Sequence, residues 1–202
     1  MNQETNAIYN EIWNRLEQGS RDGSHAFHTP VLGTQSLSGA PDLRTVVLRR
    51  VDQALRLICC HTDSRSPKID EIKANNKVAW LFYDAQARVQ VRAHGHCAVH
   101  MGPHDPMAIE IWPQVAPQSR ACYAAPHAPS SEVDQWESNQ SSDTREIAAT
   151  PPRPEDTPPK TFAVLATILD SIEWLELHHD GHRRLRFCCR DGAEPQPQWL
   201  AP

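Results

Sequence analysis

The apolar residues change period several times along the chain, and each change marks an element. Between about Thr5 and Glu17, Ile8, Ile12, Trp13 and Leu16 recur at helical spacing among polar residues, which predicts an amphipathic N-terminal helix. Gly19 and Gly23 then break the pattern. Ala26 to Leu37 carries Phe27, Val31, Leu32 and Thr34 and predicts a first strand. Leu43 to Val51 (LRTVVLRRV) is short, apolar and β-branched, and Ala54 to His61 (ALRLICCH) follows at hairpin distance, so these two are expected to pair antiparallel. Ser66-Pro67 opens a second helix: serine suits a cap, proline suits the first helical position, and Asp70 and Glu71 suit the positive end of the dipole. Its apolar side is Ile69 and Ile72, and its stop is Asn75-Asn76.

Val78 to Tyr83 and Val89 to Val99 are the next two strands, and Asp105-Pro106 opens a short helix carrying Ile109 and Trp112. Gln114 to Lys160 shows little periodicity. Within it Ser138 to Lys160 is polar and proline-rich, and is expected to be a mobile loop of about 138–160. Thr161 to Thr167, Ser171 to Leu177 and Arg183 to Arg190 complete the strands, the last after the turn His178-His179-Asp180-Gly181. Six or seven mostly antiparallel strands with a few short helices predict a mainly β chain, a barrel or sandwich rather than a parallel sheet. Neither G-x-G-x-x-G nor G-x-x-x-x-G-K is present, so a βαβ nucleotide fold is not expected.

Composition narrows the function classes. The 202 residues include 39% apolar and 22% charged residues, enough for one ordinary core. A net charge of −5 argues against nucleic acid as a partner. No apolar run approaches the roughly 18–20 residues that span a bilayer, and the opening MNQETNAIYNEIWNRL has no charged-then-apolar leader. The expectation is a cytoplasmic protein with no membrane contact. Four of six cysteines lie in the doublets Cys59-Cys60 and Cys188-Cys189, whose neighbours point to opposite faces of a strand, which suits packing better than a disulfide framework. The eleven histidines include His94 and His96 and the run His178-His179-Asp180-Gly181-His182, without cysteine or carboxylate support at metal-ligand spacing. They read as turn and surface residues, and no metal is expected.

Three stretches carry candidate chemistry. Arg44, Arg49 and Arg50 stand on one strand. Thr62-Asp63-Ser64-Arg65-Ser66-Pro67-Lys68 joins hydroxyls and two cations to a helix start, which suits a dianionic phosphate but equally describes a solvated basic turn. Gln90 lies on a strand in VQVRAHG, where an amide that donates and accepts suits the edge of a planar heterocycle.

RTVVLR at Arg44–Arg49, SRSPK at Ser64–Lys68, QVRAHG at Gln90–Gly95 and the terminal WLAP at Trp199–Pro202 fall in the order seen in pyridoxamine 5′-phosphate oxidase and its relatives, and the sequence resembles that family from about Leu43 onward. The resemblance implies a single FMN-binding split barrel over residues 1–202, a homodimer with the flavin between subunits, and two-electron transfer from a small-molecule substrate. It implies that Arg44 contacts FMN, that Val46, Val47, Leu48 and Arg49 line the isoalloxazine, and that Arg65, Ser66 and Lys68 hold the phosphate. Gln90 matches the glutamine at the flavin edge, and Arg186 the arginine that reaches the flavin from the second subunit. Ser119 matches a substrate-phosphate serine, and Arg49 or Arg184 is a candidate for an anionic substrate.

The departures bear on the substrate. Where oxidases of pyridoxamine phosphate carry R-x-H, this chain reads His182-Arg183-Arg184-Leu185-Arg186. The substrate lysine of the first FMN strand is Arg49, which is not an equivalent donor, and the tryptophan beside the flavin is Leu175. The sequence therefore points to a divergent relative rather than the vitamin B6 oxidase, with a non-catalytic flavin-storing or flavin-sensing protein as the alternative.

Overall fold

The first helix, α1 (Gln3–Arg21), is longer at both ends than its apolar period predicts. Asn2 caps it, its side-chain oxygen accepting from the Thr5 N–H at 2.8 Å. The helix runs through Gly19 instead of stopping there. A Cβ on Gly19 would lie 2.8 Å from the Phe27 carbonyl carbon, so the glycine permits close packing rather than a break.

This computed structural model describes residues 1–136, 138–139, 141–189 and 193–202. After α1 come β1 (Val31–Gln35), β2 (Pro41–Thr45), β3 (Leu48–Asp52), β4 (Leu57–Asp63), α2 (Lys68–Ala74), β5 (Lys77–Asp84) and β6 (Val89–Met101). Then follow α3 (Pro106–Ile111), a 3₁₀ turn (Trp112–Gln114), α4 (Pro117–Cys122), α5 (Ser142–Ala149), β7 (Phe162–Glu176), β8 (Arg183–Cys188) and β9 (Gln196–Leu200). The strand order is β2-β1-β5-β6-β7-β4-β3, with β8 on β7 and β9 on β8, and every pairing is antiparallel. The architecture is the mainly β split barrel that the sequence pattern and its resemblance led us to expect.

The main core fills this barrel. Ile12, Trp13 and Leu16 of α1 pack with Leu32, Trp80, Phe82, Val91, Ile172 and Phe187. On the other side of β4 and β7 a second cluster joins Cys59, Phe162 and Val164 to Ala108, Trp112 and Tyr123. Both faces of these two strands are thus covered, which is why ICC and FAVLA read as continuous apolar runs without alternation. Among the described residues no helix is long and apolar enough to cross a membrane.

Several boundaries differ from expectation. The first strand is Val31–Gln35, not Ala26 to Leu37. The run Leu43 to Val51 divides: β2 pairs with β1, and β3 pairs with β4. Between them the Val46 and Leu48 N–H groups donate to Pro30 and His28 carbonyls, both at 2.9 Å. Thr161 to Thr167 and Ser171 to Leu177 are one strand, β7. Within 138–160, Ser142–Ala149 is helical, closed by a capping box between Ser141 and Thr144. β8 ends at Cys188, and the expected end of that strand, Arg190, lies outside the described residues.

Candidate functional site

The turn from β4 into α2 carries the most chemically suggestive group. Thr62 is the last inward-facing residue of β4 before Asp63, and Ser66 and Lys68 follow within one turn. The Lys68 ammonium donates to Ser66 Oγ at 2.6 Å and to Thr62 Oγ1 at 3.2 Å. Among the described residues no carboxylate pairs with it. Burial, and next the neighbouring Arg44 guanidinium, push its pKa below the usual lysine value. Ser66 does not cap α2. Its hydroxyl is spent on Lys68, and Pro67 takes the cap position without a side-chain bond.

Arg44 approaches from β2. Its guanidinium contacts Thr34 Oγ1 and Asp42, and lies 3.0 Å from Glu71 Oε2. Glu71, buried on α2, also accepts from Thr34 Oγ1 at 2.6 Å. The sequence marks Thr34 only as a strand residue and Glu71 only as a helix-start residue, neither as part of a site. A threonine mid-strand and a glutamate in a helix carry no signal until β1 and α2 are seen to face each other. A half-buried ammonium with only hydroxyl partners, beside a guanidinium already oriented, fits a bound phosphate.

Arg65 is placed differently. Its Nε donates to Asp63 Oδ1 at 3.0 Å and its Nη2 to Oδ2 at 2.7 Å, while Nη2 and Nη1 reach the Ala125 and Pro126 carbonyls at 2.9 and 3.2 Å. The hydrogen bond to Asp63 raises its pKa further.

Gln90, Arg184 and Arg186 form a second group on the outer face of β6, β7 and β8. Cross-strand register aligns Gln90 with Leu175 and Leu175 with Arg184, and one row on it aligns Arg92, Glu173 and Arg186. Glu173 is 9% exposed and accepts from Arg92 Nε at 3.0 Å and Arg184 Nε at 2.9 Å. Burial pushes its carboxyl pKa up, but the bonds from Arg184 and Arg92 outweigh that and leave it below the ordinary value. Arg186 donates to Gln198 Oε1 at 2.7 Å, and its Nε is buried without a partner. That orphaned donor is a fit for an acceptor from outside the chain.

The two groups lie toward opposite ends of β6. Thr62 is level with Met101 through Ala163, whereas Gln90 lies at the other end of β6. Eleven residues of β6, counted along the strand and past the irregularity at His94/Gly95, separate those levels. Gln90 also faces outward, while Val89 and Val91 face the core.

A third region is a cleft of about 590 Å³ lined by Arg49, Arg50, His61, Glu110 and Ser119 over Val51, Ile111 and Val115. The β3–β4 register shifts at Leu48/Arg50 and leaves Arg49 out of the ladder, its Nη2 3.4 Å from Ser119 Oγ. Arg50 instead pairs with Glu110 at 3.0 Å. Burial, then Arg49, lower the His61 pKa to about 4, so the ring is neutral at pH 7. Leu48 is fully buried in the core, with Val46 packed against it and Val47 half-buried. Elsewhere, and against the expectation that no carboxylate supports these histidines, His178, His179 and Asp180 bring donor atoms within 4.8 Å of one another at the exposed β7–β8 turn.

Comparison with known proteins agrees with this geometry. Residues 10–101 match the family described as "Pyridoxamine 5'-phosphate oxidase, FMN-binding domain". A pyridoxine/pyridoxamine 5′-phosphate oxidase of Rubrobacter xylanophilus is 36% identical over 80 residues, 40% of this chain and 36% of that relative, so the match spans about a third of its length. A pyridoxamine 5′-phosphate oxidase-related, FMN-binding protein of Nostoc punctiforme superposes with a TM-score of 0.76 at 20% identity, covering 96% of each chain. PhzG of Burkholderia lata, solved with tetrahydrophenazine-1-carboxylic acid, gives 0.70 at 20% identity, covering 98% of this chain and 92% of that one. At such identities the solved structures establish the fold. Residues 10–101 thus match the FMN-binding domain of the pyridoxamine 5′-phosphate oxidase family, and the chain has the split-barrel fold of the FMN-binding protein of Nostoc punctiforme.

Proposed function

We propose that the protein is an FMN-dependent oxidoreductase working as a homodimer, with each flavin gripped by two chains. The observation that carries this reading is the Lys68 ammonium, half-buried among hydroxyls with no carboxylate partner among the described residues, inside a segment that matches an FMN-binding domain. Lys68 and Ser66 hold the phosphate, with Arg44 kept in position by Glu71 and Thr34. Gln90 and the unpartnered Nε of Arg186 serve the ring of the flavin bound to the other chain, because strand register keeps them far from Lys68 in their own. The run from Val46 to Arg49 lines the ring. When bound, FMN supplies two-electron acceptance from a substrate carbon. Around it, Arg49 and Ser119 bind an anionic group of a small substrate, and the neutral His61 ring adds a polar wall without a second charge.

Anaerobic addition of candidate amines, alcohols and nicotinamide donors to the FMN-loaded protein tests this. Bleaching of the flavin by at least one donor, lost in Arg49→Ala, is the expected result. One observation favours a second reading, flavin storage or sensing without turnover: Arg184, the substrate candidate within the stretch that lacks R-x-H, is tied to Glu173. Stoichiometric FMN with no bleaching by any donor class would support that reading instead.

A further inference from the structure

The β4–α2 turn is fastened to two segments distant in sequence. Ser64 N–H donates to the Thr161 carbonyl at 2.7 Å and Ser64 Oγ to the Lys160 carbonyl at 2.8 Å. Arg65, the residue between Ser64 and Ser66, reaches the Ala125 and Pro126 carbonyls. Thr161 Oγ1 in turn donates to the Tyr123 carbonyl. Immediately before these carbonyls stands α4, which carries Ser119, the wall of the Arg49 cleft.

We infer that Arg65 is a positioning residue, not a phosphate ligand: it latches the 123–126 strap, and with it the Ser119 wall, to the cofactor turn. The inference rests on the reading that Lys68 and Ser66 hold the FMN phosphate. Asp63 is 6% exposed and takes both an Nε and an Nη bond from Arg65, besides the Arg65 backbone N–H at 2.8 Å. Turning the guanidinium toward a phosphate would strand that carboxylate in a buried site and release two carbonyls. A lysine has no planar fork and cannot span Asp63 and two carbonyls together. The latch therefore makes the cofactor turn and one wall of the substrate cleft a single unit, so flavin binding at Lys68 is felt at Ser119.

The test uses the full chain with Arg65→Ala, Arg65→Lys, Asp63→Asn and Lys68→Met. FMN affinity is read by quenching of flavin fluorescence, and amide hydrogen exchange is followed across 119–126 with and without FMN. Arg65→Ala is expected to keep FMN affinity within about threefold of the parent, while Lys68→Met loses about tenfold or more. Exchange across 119–126 should quicken by about tenfold in Arg65→Ala, less in Arg65→Lys, and FMN should protect this segment in the parent only. Asp63→Asn should reproduce the exchange effect, and it decides the matter if Arg65→Ala does not fold. Loss of FMN affinity in Arg65→Ala as large as in Lys68→Met, or unchanged exchange in both Arg65→Ala and Asp63→Asn, overturns the latch. Unchanged FMN affinity in Lys68→Met overturns the phosphate reading instead, and the exchange data still judge the strap.

Discussion

Replacing Lys68 with methionine separates the cost of this residue from its use. In the protein without flavin, its ammonium is half-buried and, among the described residues, answered only by the hydroxyls of Ser66 and Thr62 at 2.6 and 3.2 Å. Its pKa stands below the ordinary lysine value because burial, then Arg44, disfavour the charge. A lysine whose folded pKa is lowered binds its proton less tightly in the native than in the unfolded chain, so at neutral pH the charge opposes folding. Lys68→Met should therefore leave the flavin-free protein as stable as the parent or more so. The same substitution removes a charge-assisted bond to phosphate, worth about 1.5–3 kcal/mol, or about a 10- to 150-fold weaker FMN complex. Riboflavin, which has no phosphate, should bind parent and variant alike. Flavin-fluorescence titrations with FMN and riboflavin, with thermal unfolding of the flavin-free chains, read all three quantities. In the parent, FMN affinity should also decline at alkaline pH sooner than an ordinary lysine would dictate, because only the ammonium form grips the phosphate. Equal losses for FMN and riboflavin, or a variant destabilised without flavin, would refute the reasoning.

The other expectations concern the frame around that site. A Cβ at Gly95 would lie 2.1 Å from the Ile168 carbonyl oxygen and 3.0 Å from Leu169 Cα, both backbone atoms of β7, so Gly95→Ala should cost about 3 kcal/mol or more in urea unfolding. His61 is half-buried and neutral at pH 7, with its pKa lowered from 6.5 to about 4. Its contribution is present above pH 6.5 and lost as pH falls toward about 4, up to about 3 kcal/mol. His61→Gln should flatten that slope in unfolding measured between those limits, and an unchanged slope would remove His61 from the account. Glu173→Gln leaves Arg92 and Arg184 without their shared carboxylate and should destabilise the β6–β8 face by about 1–3 kcal/mol at pH 7. Denaturant midpoints check this, and no change would show the cluster to be solvated.

Much of the scaffold was legible because short strands alternate cleanly. In β5, Val78, Trp80 and Phe82 face in while their neighbours face out. Other elements were hidden for physical reasons. The β-branched run from Leu43 to Val51 has no turn residue where β2 gives way to β3, because the break is made by backbone bonds to Pro30 and His28. α5 sits in a proline-rich stretch of low hydrophobicity and shows itself only through its capping box. β9 contains Pro197 and is paired on one side only, where a proline in a strand is tolerated. At the site, the nearness of Ser66 and Lys68 was visible in the sequence because both lie in one turn. The engagement of Arg65 was not, since the carbonyls that take it belong to residues sixty positions away. The Glu71–Thr34–Arg44 group was hidden likewise, as three elements must fold before it exists.

The most direct test of the central claim, that each flavin is completed by a second chain, mixes two damaged chains. Lys68→Met spoils the phosphate end of every site in its homodimer, and Arg186→Ala spoils the ring end of every site in its own. If the halves of one site come from different chains, a mixed dimer has one doubly damaged site and one intact site. Random reassociation of equal amounts should then restore parent FMN affinity to about a quarter of all sites. A mixture that shows only the two weakened affinities would contradict the account.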